Sequence, residues 1–308
     1  MSENFRQTRR LTENKNKALR DKVTTLHEAC STLIHDNDNV ALGGCMYSRT
    51  SMPVIGEIIR QKRSGLTLSR NLVSFETDLL VVSGAVKKVI SSWYGIGVTW
   101  GLSKIMRTYC ESGKLDFEEW SHMAISLRFK AGAMGVPYLP TFSMLGSDLM
   151  KADLVKESDC PFTGEKLCLV PALFPDVAVI HVQRADRFGN TQIDGLPFID
   201  REIASSAGKV IVTAEEIVDS DIFRSNPTQT AVPFFCVDAV VEAPYGSLPG
   251  ECMGLYDPDF EHIDNYVKSV DARGVEAVKE YIDKYIVQPG SHEGYLELLG
   301  IKPKRIAE

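Results

Sequence analysis

The sequence predicts an α/β protein built on an open, mostly parallel sheet with helices on both faces. Two observations carry this expectation. Strand-length apolar runs recur at residues 39–42, 86–93, 167–171, 177–182, 209–213 and 236–243. Segments with helical spacing lie between them. Strands that alternate with helices join most simply as parallel neighbours, with the crossover helices covering the two faces.

In chain order, residues 1–22 come first. They hold seven basic and three acidic residues and are expected to form a solvated polar arm, followed by one domain over 23–308. Leu26, Ala29, Leu33 and Ile34 have the spacing of one helix face. Residues 39–42 form an apolar strand closed by Gly43 and Gly44, and a helix over 53–61 carries Pro53 in its first turn. Residues 66–68 are a short strand and 86–93 a longer one, with helical segments following at 101–112 and 116–134. The loop 156–166, with Pro161 and Gly164, is the best internal break. Beyond it the remaining strands alternate with helices near 200–207, 273–287 and 292–299.

Composition narrows the function classes. A net charge of −7 argues against a nucleic-acid partner, since phosphate contacts need grouped Lys and Arg. No apolar run approaches the roughly 20 residues that span a bilayer, and residues 1–22 carry no apolar stretch of signal-peptide type. The expected location is cytoplasmic, with no membrane partner. Seven scattered cysteines without a CxxC pair are expected to be reduced thiols, mostly in the core. Six histidines without HxxxH or HExxH spacing give no metal site.

Four turns at strand ends could carry chemistry, because open α/β sheets receive ligands there. Gly43-Gly44 would let a phosphate or a ligand arm approach the backbone, and Arg49 offers a fork suited to a carboxylate or phosphate. Cys45 has no identifiable partner base and reads as a buried thiol. Gly95 and Gly97 sit in a GxGxxxG run, not the GxGxxG of a dinucleotide loop, and suit a pocket wall. Ser147 lies in a polar turn at 146–149, and a fourth turn spans 185–190. Each of these is also ordinary turn chemistry, and residue types alone leave both readings open.

Together and in order, these segments resemble the α subunits of class I coenzyme A transferases of the glutaconate type. The likeness covers roughly residues 24–300. It rests on NVALGG (39–44) with Arg49, VKKVI (86–90), AGAMGVP (131–137) and DVAVIH (176–181) with Asp186 and Gly189-Asn190. It continues through IVTAEE (211–216), CVDAVVEAPYG (236–246) and GLYD (254–257). The resemblance implies a sheet domain of the CoA-transferase type, paired with a homologous β subunit in a complex of two α and two β subunits or more. It implies a coenzyme A thioester and a carboxylic acid as substrates, with no permanently bound cofactor. The exchange would pass through a glutamyl-CoA thioester on a Ser-Glu-Asn-Gly glutamate of the β subunit. Here Ser-Glu-Asn occurs only at Ser2-Glu3-Asn4, followed by Phe5, inside the polar arm.

Three positions depart from the family pattern. Cys45 follows the two glycines where the family has Phe, and Ser247-Leu248 stand where the glutaconate enzyme has Ala-His. His122 falls where transferases place a Gln that donates to the thioester oxyanion. It is expected to be an oxyanion donor or a general base. The same likeness extends to relatives that open a ring in an acyl-CoA by hydrolysis or decarboxylate an acyl-CoA. Further alternatives are a sugar-phosphate isomerase of related fold and a non-catalytic partner subunit.

Overall fold

A computed structural model describes residue 10 and residues 13–152 and 154–301. Most of the expected arm before residue 13 lies outside the described residues. Residues 13–22 are mostly exposed but are fastened at two lysines, Lys15 buried on Asp238 and Lys22 donating to the Phe234 carbonyl at 2.6 Å, after which Val23 bridges Val240 in parallel.

The chain opens on α1 (Leu26–Leu33), whose first turn is fixed by a capping box between Thr25 and Glu28. It continues through β1 (Asn39–Leu42), α2 (Met52–Arg60), β2 (Leu66–Ser69), β3 (Leu72–Val73) and α3 (Phe75–Val82). Next come β4 (Val86–Ser91), β5 (Trp93–Gly97), β6 (Gly101–Leu102), α4 (Lys104–Glu111), β7 (Asp116–Glu119) and α5 (His122–Met134). The middle of the chain holds β8 (Tyr138–Thr141), β9 (Lys156–Asp159), β10 (Lys166–Pro171), β11 (Val177–Asp186) and β12 (Thr191–Gln192). Then follow α6 (Asp200–Ser206), β13 (Lys209–Val218), α7 (Asp221–Ser225), β14 (Ala239–Glu242), α8 (Phe260–Arg273), α9 (Val275–Ile282) and α10 (His292–Leu298).

The main sheet runs β14-β13-β11-β1-β2-β4-β7, every pair parallel, with β12 added antiparallel to β11. Its central strands are apolar on both sides. Val40, Leu42, Leu68, Val177, Val179 and Ile211 pack into one core with α2, α3, α8 and α9. Ala41, Ala178, Ile180, Val210 and Val212 pack into a second core with α5 and α6. The period of two along each strand therefore feeds two apolar faces, which is why these runs read as continuous. No helix among the described residues is long and apolar enough to cross a membrane.

Several expected elements are corrected. Residues 116–119 are β7, an edge strand, not the start of a helix. With one apolar residue in Asp-Phe-Glu-Glu, its sequence shows the charge that protects a sheet edge rather than a strand pattern. The helix expected over 101–112 begins at 104, after the β5–β6 hairpin. The expected loop 156–166 starts as β9, and β10 pairs with β8 and β9 in a separate antiparallel sheet rather than in the main one. The helix expected over 273–287 is broken at Gly274, φ +59°, and is preceded by α8, which the spacing did not reveal.

Candidate active site at the carboxyl end of the sheet

β1 lies between β2 and β11. From it the chain builds outward through β2, β4 and β7, then returns to the other side for β11, β13 and β14. The strand order reverses there, which opens a crevice beyond the carboxyl ends of β1 and β11. The loop 43–50 fills the rim of this crevice. A Cβ on Gly43 would come within 2.8 Å of Ile180 Cδ1, and one on Gly44, at φ +66°, within 2.2 Å of the Ser48 carbonyl. Gly44 therefore requires glycine, whereas Gly43 makes room for the side chains of Ile180 and Asp200. Gly44 N–H donates to Asp200 Oδ1 at 2.7 Å, so the first residue of α6 anchors the turn.

Arg49 turns inward. It is 1% exposed, its φ is +53°, and Nη1 donates to the Asp200 carboxylate and, at 3.0 Å, to the His181 carbonyl. Nη2 donates to the Leu196 carbonyl at 2.9 Å. In this chain the fork expected to face a ligand is engaged with the protein.

Behind the loop stands a brace that sequence spacing did not reveal. His181 on β11 bonds Thr213 Oγ1 through Nδ1 at 2.9 Å and Glu215 Oε1 through Nε2 at 2.8 Å. Glu215 also accepts from Tyr256 Oη, from Tyr245 N–H at 2.6 Å and from Gly246 N–H at 3.1 Å. Burial pushes its carboxyl up, but the hydrogen bonds and charge of His181 and the bonds from Tyr256 and Tyr245 outweigh this and hold it below the ordinary value. The fixed segment 245–251 then zips onto the site loop: Arg49 N–H reaches the Glu251 carbonyl and Thr50 N–H reaches Ser247 Oγ. His181, Glu215 and Cys252 bring ligand atoms within 4.8 Å of one another. Both imidazole nitrogens and both carboxylate oxygens are already bonded within the chain, so the trio fits a hydrogen-bonded brace better than a metal ion.

The other flank is formed by the segment after β2. Arg70 reaches the half-buried Met46 carbonyl at 2.9 Å, and in the interior it reaches Thr50 Oγ1 at 3.0 Å and pairs with Glu76 at 2.8 Å. The Asn71 carbonyl accepts from Ser91 Oγ at 2.9 Å and Ser92 Oγ at 2.6 Å, tying the ends of β2 and β4 together. His122 is exposed at the first position of α5, which Ser121 caps through Ala124 N–H, and its Nδ1 lies 3.3 Å from Ser92 Oγ. Two oxygens 2.6 Å apart need a hydrogen between them, and only Ser92 can supply it to the Asn71 carbonyl. Ser92 Oγ is then left as an acceptor for His122, so the neutral ring carries its hydrogen on Nδ1 and a lone pair on Nε2.

The structure brings most of the expected residues to this end of the sheet. A Cβ on Gly97 would lie 3.5 Å from Met46 and Tyr47, which sets the β5–β6 hairpin beside the site loop. Gly95 faces the ring of Trp93 and the Gly101 carbonyl inside that hairpin. Ser147 is exposed, and its hydroxyl bonds the Met144 carbonyl at 2.6 Å. None of its hydrogen bonds among the described residues reaches the loop 43–50; Ser143, earlier in the same segment, bonds Ser121 at 2.5 Å. Asp186 caps its own turn by accepting from Phe188 and Asn190. Asp200, His181, Glu215, Arg70 and Asn71 were missed. Arg70-Asn71 directly after an apolar strand was a signal of the same kind as Gly43-Gly44.

A coenzyme A transferase family model matches residues 23–243. The chain belongs to the coenzyme A transferase family. It is 35% identical to the A subunit of glutaconate CoA-transferase from Acidaminococcus fermentans over 91% of this chain and 92% of that one. It is 36% identical to the A subunit of 3-oxoadipate CoA-transferase from Pseudomonas knackmussii over 86% and 93%. An uncharacterized protein of Archaeoglobus fulgidus is 42% identical over 94% of the chain, which spans 64% of that protein's length. The crystal structure of the Acidaminococcus glutaconate enzyme superposes with a TM-score of 0.86 over 91% of this chain and 93% of that one. A variant of the decarboxylase AibA/AibB superposes with a TM-score of 0.75 at 28% identity over 85% and 99%.

Proposed function

We propose that this chain is the α subunit of a cytoplasmic heteromeric acyl-CoA:carboxylate CoA-transferase, with the catalytic glutamate supplied by a separate, homologous β subunit. The carrying observation is the similarity, over about nine tenths of the chain, to the A subunits of two CoA-transferases. The surface around the site loop supports a partner there. Val98 is 99% exposed at the hairpin tip, and Phe260, 52% exposed, lies against Tyr47 and Trp100. Leu196, Met253 and Leu255 are exposed on the segments beyond Arg49. Apolar side chains gathered on one rim are what a docking subunit covers.

In the reaction, a glutamate carboxylate of the partner attacks the acyl thioester and expels the thiolate, giving a mixed anhydride. The thiolate then attacks the glutamyl carbonyl, releases the acyl carboxylate and leaves a glutamyl-CoA thioester. The acceptor acid reverses the two steps. Covalent catalysis divides one difficult exchange into easier ones. This chain would contribute the loop 43–50 as a wall, with Arg49 holding that loop in shape, and His122 near the reacting oxygen. Gly95, Gly97 and Ser147 would line the approach for the CoA arm.

A second reading is favoured by one observation, the 3.3 Å contact of His122 Nδ1 with Ser92 Oγ, from which the lone pair of the neutral ring is assigned to Nε2. A base is of use to a hydrolysing or decarboxylating relative, whereas an oxyanion donor needs a hydrogen on that nitrogen. Expression with and without a partner subunit tests the first reading. Transfer of CoA between an acyl-CoA and a carboxylate should require both chains, and activity from this chain alone would refute it. Continued acyl-CoA turnover by the complex without any acceptor acid, well beyond the single equivalent per site that loads the glutamate, would establish the second reading instead.

A further inference from the structure

Among the described residues, seven buried side-chain nitrogen or oxygen atoms have no hydrogen-bond partner. Four of them, Arg70 Nε, Asn71 Oδ1, Ser74 Oγ and Glu76 Oε2, fall within seven residues at the carboxyl end of β2. Such atoms cost stability wherever folding alone decides, so their concentration beside the crevice calls for a reason. Of the four residues only Asn71 retains some surface, 6%; the other three are at 0%.

The amide orientation of Asn71 follows from its neighbours. Nδ2 donates to Ser126 Oγ at 2.8 Å, and Ser126 Oγ donates to the His122 carbonyl at 2.8 Å, one helical turn back. The Ser126 hydrogen is thereby committed, so Ser126 can only accept from Asn71. The amide nitrogen must face Ser126, and the free atom is the oxygen. Asn71 is also joined to His122 by a second route, its carbonyl accepting from the Ser92 hydroxyl that meets the His122 ring.

We propose that Asn71 Oδ1 is a substrate contact that accepts a hydrogen bond from an uncharged donor of the acyl thioester. This rests on the CoA-thioester reading above. An acceptor oxygen cannot serve an ionised carboxylate or phosphate, which bring no hydrogen. The donor is an amide N–H of the thioester arm or a hydroxyl on the acyl chain. Asn71 would thus sort substrates by a group beside the bond that reacts, while His122 addresses that bond.

The test uses the complex of this chain with its partner and measures acyl-CoA affinity by titration calorimetry. Asn71→Leu removes the acceptor at similar size, and Ser126→Ala keeps it while removing only the partner of Nδ2. The Leu variant should bind about tenfold or more weakly, because the ligand's donor is left unpaired on burial. The Ser126→Ala variant should stay within a few-fold of wild type, and both should melt near the wild-type temperature. A loss confined to a hydroxyacyl-CoA relative to its deoxy counterpart identifies the hydroxyl as the donor. An equal loss on both, absent in the KM for a simple alkyl thioester of the same acid, identifies the arm amide. Wild-type affinity in the Leu variant would overturn the proposal, as would an equal loss on the alkyl thioester, which lacks both donors. A wild-type complex that binds no acyl-CoA would instead refute the functional reading and take this inference with it.

Discussion

Two buried polar networks flank the loop 43–50, and they differ in completeness. On the β11 side every carboxylate oxygen is met. Asp200 receives Gly44 N–H and Arg49, and Glu215 receives His181, Tyr256, Tyr245 and Gly246. On the β2 side the Arg70–Glu76 pair, at 0% exposure on both members, leaves Arg70 Nε and Glu76 Oε2 unmatched, with Ser74 and Asn71 beside them. A satisfied network rigidifies, and a half-satisfied one is expensive. The first behaves as a scaffold for the loop. The second is where the fold tolerates cost, which is characteristic of a surface shaped for something other than folding.

The comparison can be broken most forcefully at its satisfied member. Asp200→Ala strands the buried Arg49 charge and the Gly44 amide. It should lose about 3–5 kcal/mol of unfolding free energy in denaturant titrations. A change below about 1 kcal/mol would mean that the brace does not hold the loop. Next in size is His122, the group proposed to act on the open flank. His122→Ala should lower turnover of the complex about 10²–10³-fold, the usual cost of one group acting on a developing oxyanion. His122→Gln then separates the roles. Retained activity marks a donor, and loss equal to Ala marks the lone pair as a base. Full activity in both variants would remove His122 from the site.

Two buried carboxyls sharpen the comparison through pH. The folded Glu215 carboxyl lies below its ordinary value of 4.5, so its contribution is present above that pH and is lost as pH falls through the folded value. Asp78 behaves in the opposite way. Burial pushes it up to about 7 from 3.8, despite hydrogen bonds from Ser103, Tyr94 and Tyr266. Its ionisation therefore costs stability as pH rises from about 3.8 to 7. Melting curves of Asp78→Asn should lose the part of the wild-type decline that falls in this window, and Glu215→Gln should lose part of the decline below pH 4.5. Parallel curves for wild type and both variants would show that neither carboxyl is so perturbed. The smallest effect is expected at Ser74. Its hydroxyl is buried without a partner, so Ser74→Ala should shift stability by less than about 1 kcal/mol, towards greater stability.

Much of this architecture was legible in the sequence, for a physical reason. β1, β11 and β13 face apolar layers on both sides, and their runs of Val, Ile and Ala stand out. The charged edge strand β7 and the exposed strand β9 have no such constraint and read as helix and loop. At the site, Gly43 and Gly44 were visible as a glycine pair closing an apolar strand, and the φ of +66° at Gly44 is the local need behind it. The inward direction of Arg49 was not visible, since it depends on Asp200, 151 residues away. His181 was hidden in an apolar strand, and its partner Glu215 lies 34 residues on. Pairings of that range are set by strand order, which local spacing does not encode.

The proposed division of labour between this chain and a partner subunit is tested most directly by locating the covalent intermediate. The complex would be incubated with acyl-CoA and no acceptor acid, then treated with borohydride, which reduces a glutamyl thioester to an alcohol. Peptide mass spectrometry of both chains would follow. The account predicts one reduced glutamate, carried by the partner, and none on this chain. A reduced glutamate on this chain, whether at Glu76, Glu118, Glu215 or elsewhere, would contradict it.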